Sequence, residues 1–499
     1  MPDQGCHRSE NETAQNALLQ QVAALESEME DTRAQIAQKQ AFLLEQEQER
    51  RRLDTQLNAL SPIDQLPAEV KTEIFYSVCR NPFFLGKICR GWRDFVWSSP
   101  VLWTNIHLEV TKKNRKVQAN LLRDWLSRTA GCPLTFCLAL EWSHSRHHWN
   151  GGSSFKQILT MLASVSTQWK EVEFFLPNSQ VCFDAISTAE NSLPLLTDAT
   201  VDFDFDSGER PFNLFSVAPQ LSTLCIDNNR LANVLAPWHQ IKDFTSFTIS
   251  LDDVRGFLQK APNVIRCTVD DDGSESIQGE PQDTFVRPLV LERLEYLELQ
   301  VVSEGVGITR LLESVELPAL REVNLTSHLD YSSLAILPAI MISFCSSHLL
   351  ETFTFTGSIT SDDELIQVLR YIPSTKELSL DSGEYHPHLC PLLTEKLLQR
   401  LYPPHADILL PNLRSFTYCG PSTFDEHMHM FRDMLVYRFR QCALRPAEVD
   451  SKRATVSRIQ SVTVVTASRL VISPDIQEEL DCLVNEGLEL SLTSTLQVE

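Results

Sequence analysis

Apolar positions along the chain follow three different periods, and each period predicts a different kind of element. Residues 13–60 lack proline and glycine, and apolar side chains recur at alternate steps of four and three residues. Such a repeat places one narrow apolar stripe on a helix, as is typical of a coiled coil. The apolar seam positions are Leu18, Val22, Leu25, Met29, Ile36, Leu43, Leu53, Leu57 and Leu60. The segment therefore predicts a homodimer through residues 13–60, the alternative being a single charged helix packed on its own domain.

Between residues 61 and 110 the apolar positions have helical spacing, interrupted by prolines. Pro67 suits the first turn of a helix, and apolar side chains follow at Val70 and at every fourth residue to position 78. After Pro82 one further helix is predicted to run past Trp92 and to end before Pro100. A module this short and this apolar is expected to bury part of its surface on a partner. The alternative is an internal packing unit that has no partner.

Beyond residue 165 the pattern apolar-x-x-apolar-x-apolar recurs. Its first positions are Trp169, Leu196, Leu221, Phe244, Val264, Leu294, Leu320, Leu350, Thr375, Leu413 and Ile459. The alternation predicts strands with one buried face, and helix-like stretches such as 252–259 and 362–370 lie between them. A strand and a helix at intervals of 20 to 30 residues predict an α/β solenoid with parallel strands, although the last two intervals are 38 and 46 residues. An ordinary α/β domain is the alternative.

Composition mainly excludes classes of function. The 499 residues carry a net charge of −23 and only 16 glycines, with neither GxGxxG nor GxxxxGK[ST]. These features disfavour a nucleotide-binding loop and nonspecific nucleic-acid binding. The N-terminus has no apolar signal region, the apolar run near 335–344 is too short to span a bilayer, and the 13 cysteines form no CxxC pair. A cytoplasmic and/or nuclear protein with reduced thiols and no membrane contact is therefore predicted.

No arrangement of residues in the sequence makes a case for catalysis or metal binding. No serine or cysteine lies in a nucleophile motif, so no enzymatic activity, no catalytic residue and no cofactor are predicted. His144, His147 and His148 cluster, but Glu141 is the one nearby residue of ligand type at metal spacing. Residues 202–208 match the start of a calcium loop only in part. No metal site is predicted.

Charge and pattern together divide the chain. The predicted segments are a disordered tail (1–12), the heptad helix (13–60), the helical module (61–110), a basic collar that caps the solenoid (111–168) and the solenoid (169–499). Residues 111–170 carry +7, and Lys112–Lys116 is interpreted either as a nuclear address or as a solvated patch. Residues 171–499 carry −25, which favours a basic partner, the alternative being acidity that serves solubility alone.

The helical module resembles a known family. The series Leu66-Pro67-x-Glu69-Val70, Ile74-Phe75, Cys89-x-x-Trp92-Arg93 and Leu102-Trp103 is similar to an F-box, most of all to the F-box-like proteins of mushroom-forming fungi. A short connection, Asn81-Pro82-Phe83, departs from the family pattern. The resemblance implies docking to the Skp-type adaptor of a cullin–RING ubiquitin ligase. Carried over by position, the implied adaptor-binding residues are Leu66, Pro67, Val70, Ile74, Ile88, Trp92 and Trp103.

The repeat resembles the leucine-rich repeat, a common companion of F-boxes, although the asparagine expected after the last apolar mark occurs only as Asn229. The implied fold class is α/β: an N-terminal helical segment and a small all-α F-box-like module, followed by an irregular leucine-rich-repeat-like solenoid with parallel strands. The implied function is that of a noncatalytic substrate-recognition subunit of an SCF-type ligase, which binds an unknown target protein on the solenoid. The alternative is a dimeric leucine-rich-repeat-like scaffold or sensor with no ubiquitin link.

Overall fold

The chain divides into two compact units, Met1–Trp103 and Thr104–Glu499. The computed structural model describes residues 6–59, 62–79, 81–140, 152–176, 179–189, 193–203, 212–227, 231–271, 288–301, 311–327, 348–359, 361–383, 391–402, 408–421, 426–441, 456–467 and 470–494. The histidine cluster near residue 144, most of the calcium-like segment, Asn229 and Leu60 of the heptad seam lie outside the described residues.

The first unit is helical. Its helices are α1 (Cys6–Ala59), α2 (Ala68–Val78), α3 (Pro82–Ile88) and α4 (Arg90–Ser98), with 3-10 turns at Pro62–Gln65 and Pro100–Trp103. The helix α1 begins seven residues before the predicted start at residue 13. The prediction of one helix running past Trp92 is wrong, because the chain is extended at Cys89 and splits that helix into α3 and α4. The Cys89 sulfur accepts a hydrogen bond from the backbone N–H of Trp92 at 3.3 Å and so caps α4.

The second unit alternates strands and helices, and the predicted mixed α/β class is confirmed. Its helices are α5 (Arg115–Leu126), α6 (Gly152–Ser164), α7 (Gln180–Ile186), α8 (Leu251–Lys260), α9 (Asp362–Tyr371), α10 (Glu395–Leu401), α11 (Met428–Val436) and α12 (Pro474–Asn485). Its strands are β1 (Asn105–Val110), β2 (Leu134–Leu140), β3 (Trp169–Leu176), β4 (Asp198–Phe203), β5 (Thr223–Asp227), β6 (Asp243–Ile249), β7 (Arg266–Asp271), β8 (Leu289–Val290), β9 (Tyr296–Val301), β10 (Val315–Glu316), β11 (Glu322–Ser327), β12 (Thr352–Thr356), β13 (Glu377–Asp381), β14 (Ser415–Gly420), β15 (Ser461–Thr466) and β16 (Glu489–Ser494).

Within the described residues, one sheet of 14 parallel strands follows the order of the chain from β1 to β16, and β8 and β10 pair separately. Each pattern unit predicted from the sequence, including the last two, contributes a strand to this large sheet. Buried apolar residues line up across the strands in register. The central row is Phe136, Val172, Ala199, Leu224, Phe244, Cys267, Leu297, Val323, Phe353, Leu378, Phe416 and Val462, and it ends at Leu490 of the last strand, which is only partly buried. Alternate side chains form the opposite, solvent-facing side of the sheet, called the polar face below.

Strand β6 departs from the predicted alternation. Phe247 is 49% exposed, whereas Ser246 is buried and pairs with Val269 of the next strand. The register shifts between Ser246 and Ile249, so this stretch of β6 contains a β-bulge. A bulge inserts one extra residue and re-aims the side chains around it, which is why a phenylalanine expected in the core lies outside it.

Three strands of the sheet, β1, β2 and β16, were not predicted. For β1 a signal existed, because Trp103, Ile106 and Leu108 fit the repeated pattern, but residues 105–110 were assigned to the helical module. The strand β1 lies in the second unit, and β2, from the predicted basic collar, pairs with β1 and β3. In β2 and β16 the first apolar mark is replaced by Pro133 and Gly487, so the full pattern is missing from the sequence.

Candidate functional site

The first unit is built around aromatic side chains from α2 and α4. The ring of Phe75, which is buried, lies 4.5 Å from the ring of Trp92 and 5.7 Å from that of Phe95, measured between centroids. Aromatic pairs at these separations add stability beyond the area they bury. This packing explains why Trp92, one of the predicted adaptor-binding residues, is only partly accessible.

A second aromatic group surrounds Trp103. Its ring lies 5.2 Å from that of Phe83 and 5.3 Å from that of Trp97, both edge-on. Its indole N–H donates a hydrogen bond of 2.8 Å to the carbonyl of Val96. A Cβ atom added at Gly86 would lie 2.2 Å from the Trp97 ring, so only glycine permits this close approach. Trp103 is 0% exposed, and we infer that it supports the fold of the unit.

Replacing Trp103 by phenylalanine is expected to lower the free energy of unfolding by about 2 kcal/mol. The substitution removes the indole donor, although the carbonyl of Val96 still accepts the 3.3 Å hydrogen bond from the backbone N–H of Ser99. The lost hydrogen bond and the smaller buried ring together cost roughly 1–3 kcal/mol. Urea denaturation of the full-length chain measures the effect. The control is Tyr76→Phe, at an exposed aromatic residue of the same unit, which is expected to change stability by less than about 0.5 kcal/mol. Equal effects of the two variants would contradict a structural role for Trp103.

The outside of α2 and α3 carries apolar side chains. Val70 and Val78 on α2 are 45% and 77% exposed, and Phe84 and Ile88 on α3 are 62% and 53% exposed. On α2, residues four positions apart share one side of the helix, so Ile74 lies between the two valines and is partly exposed. We call Val70, Val78, Phe84 and Ile88 the apolar rim.

The predicted adaptor-binding residues therefore fall into three groups by exposure. Pro67, Val70 and Ile88 are exposed, Leu66, Ile74 and Trp92 are partly exposed, and Trp103 is buried. Sequence reasoning missed Val78 and Phe84 as site residues. Their spacing carried the signal, since each lies four residues from a predicted site residue, Ile74 or Ile88, and so falls on the same side of its helix.

In the second unit, the polar face carries thiols among carboxylates. Burial, followed by the charge of Asp227, raises the pKa of the Cys225 thiol to about 12. Burial and the hydrogen-bonded carboxylate of Glu173 raise the pKa of Cys137 to about 12. Burial and the charge of Asp381 likewise raise the pKa of Cys419. Thiols with raised pKa values are poor nucleophiles, so this face offers no activated cysteine at these positions.

Within the described part of the chain, no group of three or more histidine, cysteine, aspartate or glutamate side chains is arranged to hold a metal ion. No helix among the same residues is both long enough and apolar enough to cross a membrane. Comparison with models of known protein families found no match. A search of curated proteins likewise found no similar sequence.

Proposed function

We propose that the protein is a noncatalytic substrate-recognition subunit of a cullin–RING, SCF-type ubiquitin ligase. In this proposal the first unit is an F-box-like module that binds a Skp-type adaptor, and through it a cullin. The second unit binds a target protein. The observation that carries the proposal is the apolar rim of α2 and α3. This rim lies within the stretch from Leu66 to Trp103, in which the F-box landmarks occur in order.

The apolar rim supports docking because it places large apolar side chains in water around a packed aromatic core. Burying each valine, isoleucine or phenylalanine of the rim on a partner would contribute about 1.5–3 kcal/mol. Exposed apolar side chains four or eight residues apart on one helix, such as Val70 and Val78 on α2 and Phe84 and Ile88 on α3, are typical of an interaction site. Leu66, Pro67 and Ile74 are proposed to extend the contact, while Trp92 and Trp103 hold the helices that present it.

For the second unit we propose an irregular leucine-rich-repeat-like solenoid. Support comes from parallel strands that follow chain order, and from helices such as α8 and α9 between successive strands. The helix α9 buries Leu365, Ile366, Val368 and Leu369, so one of its sides packs against the unit. In a solenoid each repeat buries its apolar side against its neighbours and leaves an extended surface for binding.

The proposed mechanism is positioning. A subunit that holds a target near a ubiquitin-charged enzyme raises the effective concentration of the reacting groups and supplies no chemistry of its own. The proposal accordingly includes no catalytic residue, no cofactor, no nucleic acid and no membrane. Its setting is the cytoplasm and/or the nucleus, with Lys112–Lys116 either a nuclear address or a solvated patch.

Co-purification of the full-length chain with a Skp-type adaptor tests the proposal. We expect a stoichiometric complex that survives gel filtration, because the rim offers several large apolar anchors. The matched control is the adaptor incubated with a chain that begins at Thr104 and so lacks the first unit. Failure of the wild-type chain to retain any adaptor would refute the proposed function.

A second candidate function, a dimeric scaffold or sensor without a ubiquitin link, is favoured by α1. The side chains at residues 13 and 15–56 of this 54-residue helix are all exposed. They include the seam residues Leu18, Val22, Leu25, Met29, Ile36, Leu43 and Leu53. Most helices in proteins are stabilised by packing of an apolar side, and a seam that repeats every 3.5 residues fits a second copy of itself.

Replacing Leu43 by aspartate is expected to weaken dimerisation about 100-fold, because a charge then enters the seam of both helices. Leu44→Asp is the matched control, since Leu43 and Leu44 are 61% and 58% exposed but only Leu43 lies on the seam. Analytical ultracentrifugation of the full-length chain measures the equilibrium. A wild-type chain that sediments as a 56.7 kDa monomer at high concentration would contradict the dimer.

A further inference from the structure

Carboxylates from neighbouring strands gather on the polar face between β3 and β7. They are Glu173 of β3, Asp202 of β4, Asp227 of β5 and Asp270 of β7, and together they form what we call the acidic patch. The register pairs Asp202 with Asp227, and Glu173 lies one row away opposite Thr200. Neighbouring strands lie about 4.8 Å apart, so the patch extends across the sheet in steps of roughly 5 to 10 Å.

The charges of several patch carboxylates act together on the thiol of Cys225. After burial, the causes that raise the pKa of this thiol include the charges of Asp227, Asp202 and Glu173. Three carboxylates from three strands thus contribute to the potential at Cys225, although they do not converge closely enough to share one ion. The negative potential there is a property of the patch and does not come from one side chain alone.

The β-bulge in β6 places an aromatic ring beside the acidic patch. The hydroxyl of Thr248 donates a hydrogen bond to the carboxylate of Asp227, so the bulge lies next to the patch. Phe247, the preceding residue, is 49% exposed. Phe175 of β3 lies in register with Asp202 on the same face and is partly exposed. Bulges often re-aim a side chain at a functional site, and here the re-aimed residue is a phenylalanine that leaves the core.

The spacing of the patch argues against a metal ion as its occupant. Among the residues that the structure describes, no three carboxylate, thiol or imidazole groups lie close enough to share one ion. Carboxylates spread over several strands, with aromatic rings between them, match the side chains of an extended basic peptide instead. Lysine and arginine lay their apolar stems on aromatic rings while their charged ends meet carboxylates.

We propose that the acidic patch, together with Phe247, binds a segment of the target protein that is rich in lysine and arginine. This inference rests on the proposed function, in which the second unit binds the target. Charge complementarity across the patch would accelerate association and select against acidic partners. Phe247 would supply an apolar anchor between Asp227 and Asp270, since β6 lies between β5 and β7.

Fluorescence anisotropy with the full-length chain tests the proposal. The probe is a labelled twelve-residue peptide of alternating arginine and serine, compared with its glutamate–serine counterpart. We expect binding of the arginine peptide that weakens with salt, and no binding of the glutamate peptide. The patch variant Asp202→Asn/Asp227→Asn/Asp270→Asn is expected to weaken binding about tenfold, and Phe247→Ala about threefold.

The matched control is Asp475→Asn/Glu478→Gln/Asp481→Asn on α12, which removes the same charge from an exposed helix. It is expected to change the peptide affinity less than about twofold. Equal weakening by both triple variants would overturn the proposal, because the peptide would then respond to net charge alone. Failure of the wild-type chain to bind the arginine peptide would overturn the proposal as well. So would Ca²⁺ binding by the wild-type chain that the patch variant loses, because the patch would then be a metal site.

Adaptor co-purification separates this inference from the proposed function. The patch variant is expected to retain the adaptor fully, since its substitutions lie in the second unit. Adaptor binding without peptide binding would refute the proposed role of the acidic patch and leave the proposed ligase function standing. Peptide binding by the patch without any adaptor binding would refute the ubiquitin-ligase function and leave a basic-segment binding protein.

Discussion

Replacing Val70 and Ile88 together by aspartate is expected to reduce the affinity for the Skp-type adaptor about 1000-fold. Both side chains belong to the apolar rim and are about half exposed, so the substitutions leave the packed core of the first unit intact. In a complex each aspartate would be buried without a partner, at a cost of at least about 2 kcal/mol. Two such costs amount to about three powers of ten in the dissociation constant, which biolayer interferometry with purified adaptor measures.

The matched control is Val117→Asp on α5 of the second unit, where the side chain is 66% exposed. This variant is expected to bind the adaptor like the wild type. A loss of similar size in the control would indicate a general effect of added charge. Unchanged affinity of the Val70→Asp/Ile88→Asp variant would show that the rim is not the contact surface.

Replacing Arg438 by methionine is expected to lower the free energy of unfolding by about 4 kcal/mol. Arg438 is fully buried in the π-helical turn that follows α11. Its guanidinium donates hydrogen bonds to the carbonyls of Leu401 at 2.6 Å, Leu409 at 2.7 Å and Leu410 at 3.1 Å. Methionine fills much of the space but has no donor, so the buried carbonyls of Leu401 and Leu409 lose the hydrogen bond from Arg438, at roughly 1–3 kcal/mol each. The carbonyl of Leu410 still accepts a hydrogen bond from the backbone N–H of Leu413.

Arg440→Met provides the control two residues further on. The Arg440 side chain is 33% exposed and pairs with the exposed carboxylate of Glu486, with Nε 3.0 Å from both carboxylate oxygens. A surface pair of this kind contributes at most about 1 kcal/mol. Urea denaturation followed by tryptophan fluorescence compares the two variants. Similar stabilities would contradict the structural role of the buried guanidinium.

The strands of the second unit were predictable because their signal is local. In β12 the alternation of Phe353 and Phe355 with threonines is enough to specify a strand with one apolar side. The sequence predicted that the strands pair in parallel, because strands separated by helices favour a parallel sheet, and that sheet is observed. It did not predict the register of each pair. The bulge at Ser246 and Phe247 was not predictable. A strand with Ser246 in the core and one with Phe247 in the core both fit the local sequence, and only pairing with neighbouring strands determines the register.

The apolar rim lies within the predicted helical module, but the sequence did not show which of its large apolar residues are exposed. Trp103 and Phe84 are both large aromatic residues in short helical turns, yet Trp103 is buried and Phe84 is 62% exposed. Around Trp103 the chain supplies the cover: Phe83 and Trp97 pack edge-on against its ring, and Gly86, which has no side chain, leaves room for Trp97. Hydrophobicity along the sequence indicates that a residue prefers burial, but it does not indicate whether the chain itself provides the cover.

The sequence alone determined the heptad helix, the break into a short helical module and the repeated strands of a parallel α/β unit. These features depend on periods of 3.5, 3.6 and 2 residues, which neighbours along the chain encode by themselves. The tertiary structure alone decided which apolar side chains remain uncovered, that carboxylates of four strands form one patch, and that a bulge places Phe247 beside it. Those features depend on contacts between residues far apart in sequence, since burial and potential are set by everything that surrounds a side chain.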